Sequence, residues 1–212
     1  MRKLVVGAQL SLDGVMQSAH GPSEDTSGGF ALGGWIVPFR SKEGGEELAR
    51  MMEPPFDLLL GRKTYENFAG YWPKQDENGP AGWIARKFNA CRKYVVSGSG
   101  KVDLRWSGSV LLRSVDDVKK LKEQDGPQLL TQGSPILAQA LLAHDLVDAL
   151  TLFLAPAVVG SGKRLWAEGS APRAFKLTSS RVASSGTIIA HYDKAGALQT
   201  GSMTADAPKT RS

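Results

Sequence analysis

At 212 residues, 42% of them hydrophobic and 22% charged, the chain is long enough to bury one core and short for two ordinary domains. Its net charge of +5 is thinly spread and gathers partly from Lys194 onward, so the dense basic stripe of a nucleic-acid binder is missing. A single cysteine, Cys91, excludes an intrachain disulfide and suits a reducing compartment such as the cytoplasm, while no apolar run approaches the roughly 20 residues of a membrane helix.

Residues 3–12 are rich in Val and Leu and read as a buried strand, too short and too interrupted by Gln9, Ser11 and Asp13 for a secretory leader. Asp13-Gly14 turns the chain into a loop of Gly, Ser and Pro over 17–34, and residues 35–39 pack that loop back against the body. Residues 46–52 predict a short helix stopped by Pro54-Pro55. A buried strand over 57–60 follows, then Gly61 as a tight turn and a helix over 63–68. Residues 84–89 predict a helix, 93–97 a strand ending at Gly98-Ser99-Gly100, and 110–112 another strand. Ser114 with Asp117 three positions on is a helix start with reciprocal capping. After a strand over 128–131, Ser134 caps a helix that has Pro135 at its first position. A long strand over 149–159 and a hairpin of 175–182 with 187–192 complete the chain, and 194–212, small and polar, is expected to be a disordered tail behind a domain of residues 1–193. Strands alternating with helices describe an α/β domain with a mainly parallel sheet.

Gly61-Arg62-Lys63-Thr64 feeds a buried strand straight into a helix, where unsatisfied N–H groups, two cations and a hydroxyl suit an anion as well as a solvated helix start. Cations at that end oppose the helix dipole, which favours the anion reading. Gln132-Gly133-Ser134-Pro135 is a second strand-to-helix turn, and Ser97-Gly98 a third small-residue turn; all three would converge at the carboxyl ends of parallel strands, where such sheets bind ligands. Gly160-Ser161-Gly162-Lys163-Arg164 lacks the first glycine and the Ser/Thr of a phosphate loop, and no serine stands in a Gly-x-Ser-x-Gly elbow. His20, His144 and His191 are scattered without metal-ligand spacing, and each reads more readily as structural than as catalytic. What survives is chemistry in which a cofactor supplies the reactive atom.

Ser11-Leu12-Asp13-Gly14, Leu60-Gly61-Arg62-Lys63-Thr64-Tyr65-Glu66, Val95-Val96-Ser97, and Gln132-Gly133-Ser134 followed by Val159-Gly160-Ser161-Gly162-Lys163-Arg164-Leu165 stand in an order that resembles the dihydrofolate reductase-like superfamily. The nearest branch is the C-terminal reductase domain of the riboflavin-biosynthesis enzyme RibD, and the likeness covers residues 2–193. It implies an NADPH-dependent reductase of a small pterin-like or aminopyrimidine substrate, acting as a homodimer without nucleic-acid or membrane partners. On this likeness Ala8 and Met16 offer backbone groups to the nicotinamide, Gly61, Arg62, Lys63 and Thr64 hold phosphates, Ser97 and Gly98 line the adenosine end, and Gly133, Ser134, Pro135 and Ile136 the pyrophosphate. Asp13 and Glu46, with Gln9, are the polar residues expected to approach the substrate; Asp13 equally reads as a residue that only shapes its turn. Two departures from true dihydrofolate reductases bear on folate as substrate: Gln132-Gly133 replaces their Gly-Gly pair, and a gap-free count back from Gly61 puts Gly45 where they carry a carboxylate, with Glu46 one residue away. The alternatives are a nucleotide-binding or dimerisation module that keeps the fold without the chemistry, and a true dihydrofolate reductase.

Overall fold

Runs of Val and Leu held between glycine and proline turns become strands, and their order along the chain fixes the sheet. The computed structural model describes residues 1–203. Its strands are β1 (Leu4–Leu10), β2 (Phe56–Gly61), β3 (Lys93–Val96), β4 (Ser109–Leu112), β5 (Gln128–Thr131), β6 (Ala149–Leu154), β7 (Ala174–Val182) and β8 (Ile188–Gly196). They form one sheet in the order β4-β3-β2-β5-β1-β6-β8-β7. β1 to β6 are parallel neighbours, and β8 runs antiparallel to both β6 and β7. This is the expected α/β domain with its mainly parallel sheet and terminal hairpin.

The helices are α1 (Lys42–Met51), α2 (Arg62–Tyr71), α3 (Gly82–Ala90), α4 (Val115–Glu123) and α5 (Pro135–Ala143). Alternation along β1 sorts the core into two faces. Leu4, Val6, Ala8 and Leu10 pack with Val118 of α4 and Leu137 and Leu141 of α5. Val5 packs on the other face with Met51 and Met52, in a cluster that includes Leu58, Leu60 and Phe88. Both halves of the Ser114–Asp117 capping box form, and the Ser134 hydroxyl accepts from the Leu137 amide. A buried ion pair between Arg2 and Asp57 ties β1 to β2 across β5, with Arg2 Nε also donating to the Pro127 carbonyl at 2.6 Å.

Several boundaries differ from the sequence reading, three of them with a local cause. α1 begins four residues earlier than expected, because Ser41 caps it through the Gly44 amide at 3.1 Å. β6 stops at Leu154 rather than running to 159, because Pro156 has no amide to extend the ladder and the chain turns there to meet Leu12. β8 continues past residue 193 to Gly196, paired with Ala174 and Phe175, so 194–196 are strand rather than tail. Lys194 is further held by Asp145 at 2.5 Å. Of the expected tail, 204–212 lie outside the described residues.

Candidate active site

β5 pairs with β1 only from Leu4 to Val6, whereas β6 follows β1 from Val5 to Leu10. Past Val6, β1 therefore has a strand partner on the β6 side alone, and the sheet opens at the carboxyl ends of its central strands, the usual ligand position in such folds. Two predicted turns meet at this opening. The Gly61 amide donates to the Gly133 carbonyl at 3.3 Å. A Cβ on Gly61 would overlap the Ser134 hydroxyl, and one on Gly133, where φ is +144°, would lie 2.9 Å from Thr64 Oγ1. The two turns interlock because each has a glycine where the other presents a hydroxyl.

α2 starts at Arg62 with no side-chain cap and no acidic residue in its first turn, so its first amides are suited to an anion. Arg62 makes an ion pair with Glu66 at 2.8 Å, and Lys63 lies 3.4 Å from Asp25. Ser97 is buried at the end of β3, its amide bonded to Leu112, and Gly98 follows it on the same edge. Ile136 is 63% exposed on the first turn of α5, beside Pro135. The Met16 amide donates to the Lys163 carbonyl at 3.0 Å, and the Ala8 side chain packs into the core face away from α1. The residue beside it, Gln9, shares the α1 face with Gly7 by alternation. Its Oε1 and the Gln132 Nε2 are buried without a hydrogen-bond partner among the described residues. Gln132 Cγ is 3.8 Å from the Cβ position of Gly7, so both amides border the opening between sheet and α1. Interlocked small turns, an uncapped helix start with cations, and two unmatched amides fit a phosphorylated dinucleotide and the heterocycle it meets.

The carboxylates divide sharply. Asp13 is a clasp: it accepts from the Ser11 hydroxyl at 2.6 Å and from the amides of Val159 and Gly160 at 3.0 and 2.9 Å. Those hydrogen bonds, that from Ser11 foremost, hold it far below the usual carboxylate range, which favours Asp13 as the residue that shapes its turn over one that approaches the substrate. Glu46 sits on the solvent side of α1, paired with Lys42, Arg50 and Arg181. The inward carboxylate is its neighbour, Glu47, which is buried. Glu47 Oε2 lies 3.0 Å from Arg50 and 3.6 Å from Arg181, and Oε1 lies 3.1 Å from His191 Nε2. A buried carboxylate is costly unless such partners surround it. Glu47 and Met51 are one helical turn apart on the inner face of α1, and Met51 covers Gly7. The signal available in the sequence was that spacing, Glu47 four residues before Met51 on a helix started by Ser41.

The 17–34 loop folds over this edge. Asp25 accepts from Lys163 Nζ at 2.6 Å while facing Lys63, and Asn67 donates to the Glu24 carbonyl at 3.0 Å. Trp35 Nε1 donates to the Gln17 carbonyl, returning the loop to the body as expected. Cys91 stands apart as a packing residue; burial pushes its thiol up to about 11.

Comparison with known proteins now decides the family, because the model of the RibD C-terminal domain matches residues 2–189. The chain belongs to the RibD C-terminal domain family. Among curated proteins, this RibD C-terminal domain is 25% identical over 138 residues to the uncharacterized protein YyaP of Bacillus subtilis strain 168, covering 64% of this chain and 72% of that one. Among solved structures, a putative riboflavin biosynthesis protein from Shewanella sp. PV-4 superposes with a TM-score of 0.65 at 18% identity, covering 91% of this chain and 99% of that one. Dihydrofolate reductase from Enterococcus faecalis, complexed with NADP(H) and RAB-propyl, gives a TM-score of 0.57 at 12% identity over 91% and 96% of the two chains. A pyrimidine reductase-like protein from Corynebacterium diphtheriae gives 0.59 at 14% over 92% of each. These likenesses establish the dihydrofolate-reductase-like fold. Among the described residues no helix is long and apolar enough to cross a membrane.

Proposed function

We propose that this domain is an NADPH-dependent reductase that delivers a hydride to a small nitrogen heterocycle of the pterin or aminopyrimidine kind. The observation that carries the reading is a buried carboxylate, Glu47, on the sheet face where Gln9 and Gln132 border the opening beside the interlocked turns. NADPH would supply the hydride. The Gly61–Thr64 and Gly133–Ile136 turns would hold its phosphates, Ser97 and Gly98 its adenosine end, and Arg62 or Lys63 would favour the 2′-phosphate of NADPH over NADH.

On the substrate side, Glu47 Oε1 can accept an N–H from an amino heterocycle or, when protonated, donate to a ring nitrogen. Arg50 and Arg181 steady its other oxygen, so the carboxylate keeps one orientation. Met51 excludes water from the floor over Gly7. Gln9 and Gln132 would match the polar edge of the ring.

Fluorescence titration with NADPH and NADH is the first test, with tighter NADPH binding expected; equal or absent binding of both sinks the reading. Steady NADPH oxidation is then expected with at least one pterin or aminopyrimidine from a panel. A binding module without chemistry is the second reading, favoured by a Glu47 already paired on both oxygens, and any such turnover eliminates it.

A further inference from the structure

Below Glu47, toward the N-terminal ends of the parallel strands, an open cleft of about 570 Å³ is bounded by α1, β1, β6, β8 and β7. Glu47, Thr151, Arg181 and His191 all line it. The His191 ring stands between two of them, with Nε2 3.1 Å from Glu47 Oε1 and Nδ1 3.3 Å from Thr151 Oγ1. A carboxylate only accepts, so in the neutral ring the hydrogen belongs on Nε2, and Nδ1 accepts from the Thr151 hydroxyl.

The other charged groups around the pair do not compete for this role. On α1, Arg50 touches Glu47, and Glu46 faces outward; on β7, Arg181 touches Glu47 from the far side. On β8, Asp193 is 3.3 Å from Lys3, just before β1, and the two satisfy each other. Guanidinium groups keep their protons in proteins. His191 is therefore the contact of Glu47 that can exchange a proton, and its side chain is 29% exposed to the cleft.

We propose that His191 is a positioning residue and proton relay that reloads Glu47 from this rear cleft, an inference that rests on Glu47 being the substrate's proton source. In the step, the His191 Nε2–H bond breaks as an O–H bond forms on Glu47 Oε1. Nδ1 takes the Thr151 hydroxyl proton, and Thr151 regains one from cleft water, which is in turn neutralised by a proton from bulk solvent. One proton moves inward, nothing is oxidised or reduced, and the ring recovers its tautomer by exchange with cleft water. Reloading from this side leaves the carboxyl-end opening to cofactor and substrate.

The test uses the full chain. Nitrogen-15 NMR of the imidazoles is expected to show His191 as the Nε2–H tautomer, with that preference lost in Glu47→Leu; an Nδ1–H ring in the unmodified protein overturns the proposal. His191→Gln can still donate to Glu47 and accept from Thr151 but cannot relay. With any heterocycle the unmodified enzyme reduces, this variant is expected to keep its fold, NADPH affinity and KM while kcat falls about tenfold or more. In His191→Ala, added imidazole entering the cleft is expected to restore part of the loss. Full kcat in His191→Gln, or a loss in folded His191→Ala that imidazole leaves untouched, overturns the relay. Full turnover in Glu47→Gln instead overturns the parent reading of Glu47, which separates the two failures.

Discussion

The turns at Gly61 and Gly133 and the carboxylate at Glu47 border one opening but are specified in different ways. At the turns, backbone would do the binding: two glycines let two chain segments touch, and the first amides of α2 have no side-chain cap. Any residue with the right backbone freedom would serve, and glycine announces itself. At the carboxylate, one side chain would do the binding, and its placement depends on the rotation of α1. A helix turned by a single residue would put Glu46 inside, facing His191, and Glu47 in water. The first kind of site is written locally; the second is written in the packing of a helix against a sheet.

Exchanging the two neighbouring carboxylates breaks this comparison most forcefully. Glu47→Gln is expected to lower turnover of a reducible heterocycle about a hundredfold or more, within the range for loss of a general acid. Glu46→Gln is expected to stay within about twofold, since it removes partly exposed ion pairs worth about 0.5 kcal/mol each, and Arg181, one of the partners lost, still has Glu47 beside it. Parallel steady-state kinetics decide it, and equal losses would place the useful carboxylate elsewhere. On the turn side, Gly61→Ala forces a methyl into the Ser134 hydroxyl and to 3.2 Å from the Ser134 amide. Overpacking of this kind costs about 1–3 kcal/mol, and because Ser134 caps α5 the loss is expected both in the urea midpoint and in NADPH affinity. Ser134→Gly in the same chain is expected to relieve part of the overlap, at the expense of the α5 cap.

How much was legible follows the same division. The strand runs, the Ser114 and Ser134 caps, both glycine turns and the terminal hairpin were readable because each rests on residues close in sequence. The buried carboxylate is not legible from the gap-free count back from Gly61, which falls on Gly45, nor from a helix taken to start at Glu46 rather than Lys42. With the start at Ser41, the 3.6-residue period brings Glu47 and Met51 to one face. Asp13 was ambiguous in the sequence because its partners, Val159 and Gly160, lie 146 and 147 residues away. His191 carried no motif at all; its meaning comes from the register that sets it opposite Thr151.

A smaller effect sharpens the phosphate side. Arg62 is engaged with Glu66 in a half-exposed i,i+4 pair, an interaction worth about 0.3–0.5 kcal/mol. A charge-assisted bond to phosphate is worth about 1.5–3 kcal/mol, so the 2′-phosphate would win the guanidinium from Glu66. Arg62→Ala is accordingly expected to weaken NADPH binding about tenfold while leaving NADH nearly unchanged, in the same fluorescence titration. If both cofactors weaken alike, Arg62 serves the shared phosphates instead.

The smallest effect tests whether the loop is held over this edge by charge. Burial alone would raise the Asp25 carboxyl, but hydrogen bonds from Lys163 and Ser27 outweigh it and hold it at about 2. A folded-state value below the unfolded one means that folding favours the ionised form, so the contribution is complete above the unfolded value near pH 4 and is lost as pH falls through about 2. Partial exposure holds the contribution to on the order of 1 kcal/mol. Urea midpoints measured from pH 6 to pH 2 should fall more steeply between pH 4 and 2 in the unmodified chain than in Asp25→Asn, which starts lower and has no such step. Parallel curves would mean that Trp35 and the other loop contacts hold the segment without help from the Asp25 charge.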